Sequence, residues 1–230
     1  MNKLLPTLLF VVMAGVVGCR TLPEPPPAAP ALPERPALPE MERATGDYAV
    51  KFLVLDMMPE AKNLLYANPN LYALQVADAP ETERVPLPVF HLKPGETRTL
   101  DARASLAYPS AFNEEGVPTA YKTDVIGVAA TVSMALDEKR GLVFGLAVED
   151  SAPEWMREHA TPSGESYWRP VCRTVSVRTR GVVPTLNEWH VLSGGSVPVE
   201  RMRQTKDGRI DYSRYNTWRI VLARVTRPKP

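Results

Sequence analysis

Beyond residue 46 the chain is dominated by alternation of apolar and polar positions, and runs at helical spacing are scarce. Tyr48–Asp56 (YAVKFLVLD) predicts a first strand that is largely buried. Pro59–Ala67 predicts one short helix, with Pro at its first position and Asn68-Pro69 as its stop. Leu71–Val76 predicts a second strand, and Pro88–Lys93 and Thr97–Ala104 predict a hairpin around Pro94-Gly95-Glu96. The strongest pattern is Val125–Val148. Its first arm places Ile126, Val128, Ala130, Val132, Met134 and Leu136 on one face, against Gly127, Ala129, Thr131, Ser133 and Ala135 on the other. A turn at Asp137–Gly141 precedes a return arm with Leu142, Phe144, Leu146 and Val148 on the bulky face. The bulky face packs on a core; the small face either receives a second layer at close range or meets solvent. Ser151–Ser166 predicts a polar loop with room for a helical turn at Pro153–Glu158. Further strands follow at Val171–Thr179, Val182–Val183 and Glu188–Leu192, then a break at Ser193–Ser196 and a closing strand at Trp218–Val225. The fold class is therefore mainly β, one domain over residues 46–230.

Two segments precede that domain. Met1–Gly18 has one charge, Lys3, followed by an apolar run and small residues; it reads as a secretory signal, short for a transmembrane span. No later stretch approaches the length of a spanning helix. Residues 19–45 follow as a linker, in which Arg20–Glu42 holds 8 of the chain's 24 prolines, no aromatic residue and no amphipathic period. That composition predicts an extended polyproline spacer that stays out of the core, reaching roughly 70 Å at about 3.1 Å per residue.

The signal ends Val16-Val17-Gly18-Cys19, which resembles the lipobox of bacterial lipoproteins. The resemblance implies a diacylglyceryl group on the Cys19 thiol, cleavage before Cys19 and acylation of the new amine. Two or three acyl chains, at about 0.8 kcal/mol per buried CH₂, anchor a protein permanently. Arg20 stands where Asp marks inner-membrane retention in enteric bacteria, so the resemblance favours the outer membrane, with the domain facing the periplasm or the cell surface.

Charge and chemistry narrow the field. Lys and Arg number 27 against 26 Asp and Glu, which argues against a nucleic-acid partner. The near-zero sum hides a division: Gly46–Met156 has 9 basic and 16 acidic side chains, Arg157–Pro230 has 14 and 6. The division predicts either internal neutralisation between neighbouring strands or two opposite patches suited to head-to-tail contacts and anionic surfaces. The chain lacks the H-E-x-x-H, G-x-S-x-G, S-x-x-K and Walker A patterns. His91, His159 and His190 have no spacing partners, so the sequence predicts no catalytic residue, no cofactor and no metal ligand set. With Cys19 lipidated, Cys172 is a lone thiol, read as a strand-packing residue. Trp155, Tyr167 and Trp168 flank the loop at 153–164, either as a partner-binding lip or as anchors of that loop.

Taken in order, Tyr48–Val225 resembles the C-terminal domain of secretins, the ring-forming outer-membrane channels of type II and type III secretion and of type IV pili. AVKFLVLD is similar to the family's valine-rich strand ending in an acid. Tyr121–Leu136 resembles its aromatic-x-x-x-[IV]-G-[IV] strand, with Val125, Ile126 and Gly127 at the centre, and Gly141–Glu149 its return strand. Arg173–Gly195 resembles its R-x-x-x-T-x-[IV] to Gly-Gly hairpin, and Arg227-Pro228 follows the closing strand as Arg-Pro does in the family. Two features depart from the pattern. Ser196–Tyr215 lacks the P-x-L-G-x-[IL]-P segment, and a proline linker replaces the periplasmic ring domains. The resemblance implies a structural or transport role in an envelope secretion or pilus-type complex, with envelope proteins or further copies of the chain as partners. The residues leave open two alternatives: a lipid-anchored β-sandwich that binds a glycan or protein, and an envelope hydrolase of unrecognised type.

Overall fold

The structure, a computed structural model, describes residues 29–44, 47–204 and 210–227. Its elements in chain order are β1 (Tyr48–Met57), α1 (Lys62–Ala67), α2 (Pro69–Ala77), β2 (Glu83–Val85), β3 (Phe90–Leu92), β4 (Thr97–Phe112), β5 (Pro118–Asp137), β6 (Gly141–Ala160), β7 (Ser166–Val183), β8 (Trp189–Gln204) and β9 (Ile210–Thr226). The chain is mainly β, as its alternation predicts.

One sheet runs β2-β1-β9-β8, with β3 also on β1; the other runs β4-β5-β6-β7. Alternation along β1 explains the layering. Val50, Phe52 and Val54 face the four-stranded sheet and join Val128, Val132, Phe144 and Leu146 in the main core. Phe52 meets Phe144 edge to face at 6.0 Å between ring centres and Phe90 at 6.1 Å. Leu53, Leu55 and Met57 face the other way, toward Leu65, Ala73, Val76 and Trp189. The helices thus cover the back of the first sheet and make β1 buried on both faces.

Several expectations require correction. The chain has two short helices among the described residues, and Leu71–Val76 lies in the second of them rather than in a strand. Asn68 is both stop and start: its side chain accepts a hydrogen bond from the Leu71 amide at 3.1 Å, and Pro69 sits at the first helical position. Ala73, Val76 and Ala77 then fall on one buried face at helical spacing. Pro94-Gly95-Glu96 does not close a hairpin either, because β3 pairs with β1 and β4 with β5. The turn carries the chain between sheets, with the Gly95 amide donating to the Met134 carbonyl at 2.7 Å.

Ser151–Ser166 is strand for most of its length: β6 continues to Ala160, and only the turn before Ser166 is loop. Its polarity reflects a ribbon that outruns the core, and Pro153 is accommodated where the register shifts. Ser193–Ser196 is no break. The strand β8 runs through it with a shift between Val191 and Ser193, and Gly194 leaves room for the Tyr66 hydroxyl and the Trp218 ring nitrogen. Arg173–Gly195 forms no hairpin, since β7 and β8 belong to different sheets.

The expectation that the proline segment stays out of the core fails for its second half. Leu38 and Met41 pack against the main core, and the Arg35 guanidinium pairs with Asp150. Met1–Gly18 and Cys19 lie outside the described residues.

Candidate functional site

The distinctive part of the fold is where the four-stranded sheet divides. Pairing between β5 and β6 ends at Gly127–Ser151, but β4–β5 pairing continues to Phe112–Pro118 and β6–β7 pairing to Ala160–Ser166. The result is two long antiparallel ribbons leaving a common base. Gly127 sits at the fork with φ 109°, a backbone shape that L side chains resist. An added Cβ there would strike the Ala102 carbonyl oxygen and stand 3.0 Å from the Arg103 Cα.

The ribbons touch again further out. Tyr167 stacks on His159 at 5.3 Å and meets Phe112 of the other ribbon at 4.4 Å. The Arg169 guanidinium donates to the Ser110 carbonyl at 3.1 Å and lies over the rings of Tyr108 and Tyr167. Register places Trp155 and Tyr167 on one face of the β6–β7 ribbon and Trp168 on the opposite face, beside Glu158. The three aromatic residues therefore do not form one surface. Tyr167 anchors one ribbon to the other, whereas Trp168 is half-buried on the far side.

Within the β4–β5 ribbon the Tyr108 hydroxyl donates to Asp124 Oδ2 at 2.6 Å. Burial, helped by that hydrogen bond, pushes the Tyr108 phenol up to about 12. The folded chain therefore holds this proton where the unfolded chain, ionising near pH 10, has lost it. Stability is expected to fall as pH rises from about 10 to 12. Tyr108→Phe should remove that part of the alkaline loss, read by urea unfolding at pH 8, 10 and 11.

Beside the fork lies an open cavity of about 420 Å³ whose lining includes Arg103, Asp124, Glu149, Asp150 and Cys172. Burial raises the Cys172 thiol above its usual range, which disfavours the reactive thiolate. Burial also raises the Asp150 carboxyl, with Arg35 and Arg173 opposing. A second open groove, of about 680 Å³, runs along the outer face of the sheet. Its floor is small (Thr99, Ala129, Thr131, Ala147, Ser176) and its rim charged (Asp101, Arg103, Glu149, Arg178). No described element covers this face, and β4 and β7 each pair with a single strand.

The opposite charges of the two halves meet in the interior. Arg219 grips Asp56 with two bonds of 2.6 Å, and Arg173 reaches Asp56 at 3.5 Å, Glu83 at 2.6 Å and Glu154 at 3.6 Å. This network joins the two sheets, as internal neutralisation between the two halves would, rather than leaving these charges in opposite patches. The three histidines do not converge. His91 lies on β3 and His159 in the β6–β7 ribbon, both held below their usual range, chiefly by burial; His190 bonds to Thr185 beside β8. Among the described residues no group of three His, Cys, Asp or Glu side chains is placed to hold a metal, and no helix is long and apolar enough to cross a membrane.

No protein-family model and no curated protein matches the chain. Solved structures do. The secretin-domain β-barrel of InvG from the Salmonella SPI-1 injectisome matches at 11% identity and TM-score 0.44, over 81% of this chain and 64% of that one. The type III secretion injectisome secretin InvG of Salmonella SPI-1 matches at 12% and 0.42, over 81% and 66%. The Klebsiella pneumoniae type II secretion outer-membrane complex of PulD, PulS and the PulC HR domain matches at 12% and 0.27, over 81% and 38%. The chain spans less than two thirds of the length of each of these chains.

Proposed function

We propose that the chain is a lipid-anchored, secretin-like protein of the bacterial outer membrane, with a structural or transport role in a secretion or pilus-type complex. One observation carries the reading: strands of 16 to 20 residues build two ribbons that outrun the core and leave a small-residue face and two sheet edges open. A monomer gains nothing from such edges, which are hazards unless a neighbour pairs with them. Repeated copies would close them, edge to edge. Cys19 supplies the anchor and residues 19–45 the connection to a domain at 46–230. Trp168, on the face of the β6–β7 ribbon opposite Trp155 and Tyr167, is the one of the three turned away from the other ribbon and is the proposed partner contact.

Two measurements test this. Cys19→Ser is expected to move the protein from the membrane fraction to the soluble fraction, and retention in the membrane would remove the lipid anchor from the account. Sedimentation of the full chain in mild detergent is expected to show a multimer that loosens as salt rises, because charged rims line the open face. The alternative of a β-sandwich binding module is favoured by the cavity at the fork, lined by Asp124, Glu149 and Asp150. It predicts a monomer at every ionic strength and a melting temperature that rises with ligand.

A further inference from the structure

Arg35, Leu38 and Met41 are spaced three apart, and a polyproline II helix has three residues per turn, so all three fall on one face. These three touch the domain through named contacts: Leu38 and Met41 lie against the main core and Arg35 on Asp150, while Pro33 and Pro36 of the adjoining row are also partly buried. Glu34, Ala37 and Glu40, each one position before a contacting residue, are exposed. The proline segment is thus amphipathic at the period natural to it.

Asp150 makes the contact more than adventitious packing. The core-facing row of β6 reads Leu142, Phe144, Leu146, Val148 and then Asp150, a carboxylate placed opposite Val128 and Val175. It is 1% exposed, its Oδ2 has no hydrogen-bond partner among the described residues, and its Oδ1 is held by Arg35. A charge so placed needs a cation. Arg173 of the domain acts on it at longer range, and among the described residues the cation that bonds to it comes from the linker, 115 residues away in sequence.

We propose that residues 35–41 are a releasable strap, an intramolecular ligand whose Arg35 locks into the Asp150 socket and so sets how far the domain stands from its N-terminal attachment. Docked, the strap closes the core end of the β6 row and holds the linker short. Released, residues 35–44 add roughly 30 Å of reach at about 3.1 Å per residue. The lock is polar and single, while Leu38 and Met41 are only partly buried, so loss of Arg35 frees the whole segment. The competitor that fits the socket is a basic side chain on a partner's extended segment.

The test uses the full chain in detergent with spin labels carried by encoded ketone side chains at positions 37 and 138, leaving both cysteines untouched. The native chain is expected to give one narrow distance distribution. Arg35→Ala and Asp150→Asn should each broaden it and move it outward, while Glu34→Ala and Glu40→Ala leave it unchanged. Arg35 lies outside the domain, so its removal reads the strap even where Asp150→Asn fails to fold. A broad distribution in the native chain, or a narrow one retained in Arg35→Ala, overturns the proposal.

Discussion

Gly127→Ala is expected to destabilise the domain by about 3 kcal/mol, and to lower its melting temperature by roughly 6–12 °C for a chain of this size. Two costs combine. The backbone at Gly127 is held at φ 109°, where any Cβ is strained. The added methyl also meets backbone atoms of Ala102 and Arg103, which belong to the paired strand β4 and cannot rotate aside as a side chain would. Gly95→Ala separates the two. Gly95 has φ 90° and nothing within 4 Å of an added Cβ, so it should cost about 1 kcal/mol from conformation alone. Melting followed by far-ultraviolet circular dichroism compares them; equal losses would show that the close approach of β4 and β5 at the fork is not tight.

Arg219→Ala should produce a loss of comparable size, about 3 kcal/mol. It strips a buried carboxylate of a two-bond partner: Asp56 is 6% exposed, and among the described residues only Arg173 remains near it, at 3.5 Å. Asp56→Asn removes the charge that needs compensating, and the double variant should therefore lose less than the two single losses together. Denaturant unfolding of the four proteins gives the coupling directly. Strict additivity would mean that water screens the pair and that it adds nothing to the pairing of β1 with β9.

Where the physical signal was local, the sequence made the fold legible. The alternation of Ile126 to Met134 against Leu142 to Val148 specifies both strands, the turn and the buried face, because period-two patterning and a Gly at the turn are sufficient. Signals that depend on partners far along the chain were not legible. Leu71–Val76 is apolar enough for either state, and the Asn68 cap decides it. Thr97–Phe112 and Ser151–Ala160 looked like a shorter strand and a loop because their outer halves lie beyond the core, where a strand has no apolar face to display. The Arg173–Asp56–Arg219 network joins residues over 160 positions apart, with no spacing to betray it. The proline segment shows the opposite failure. Its three-residue period was present in Arg35, Leu38 and Met41 but is invisible to a search at helical or strand spacing.

The central claim is that the open edges and small-residue face of the β4–β7 sheet are assembly surfaces. Electron micrographs of the full chain, extracted from membranes in mild detergent without denaturation, test it most directly. Closed, ring-shaped particles of many copies are expected. Uniform particles of single-chain mass would contradict it.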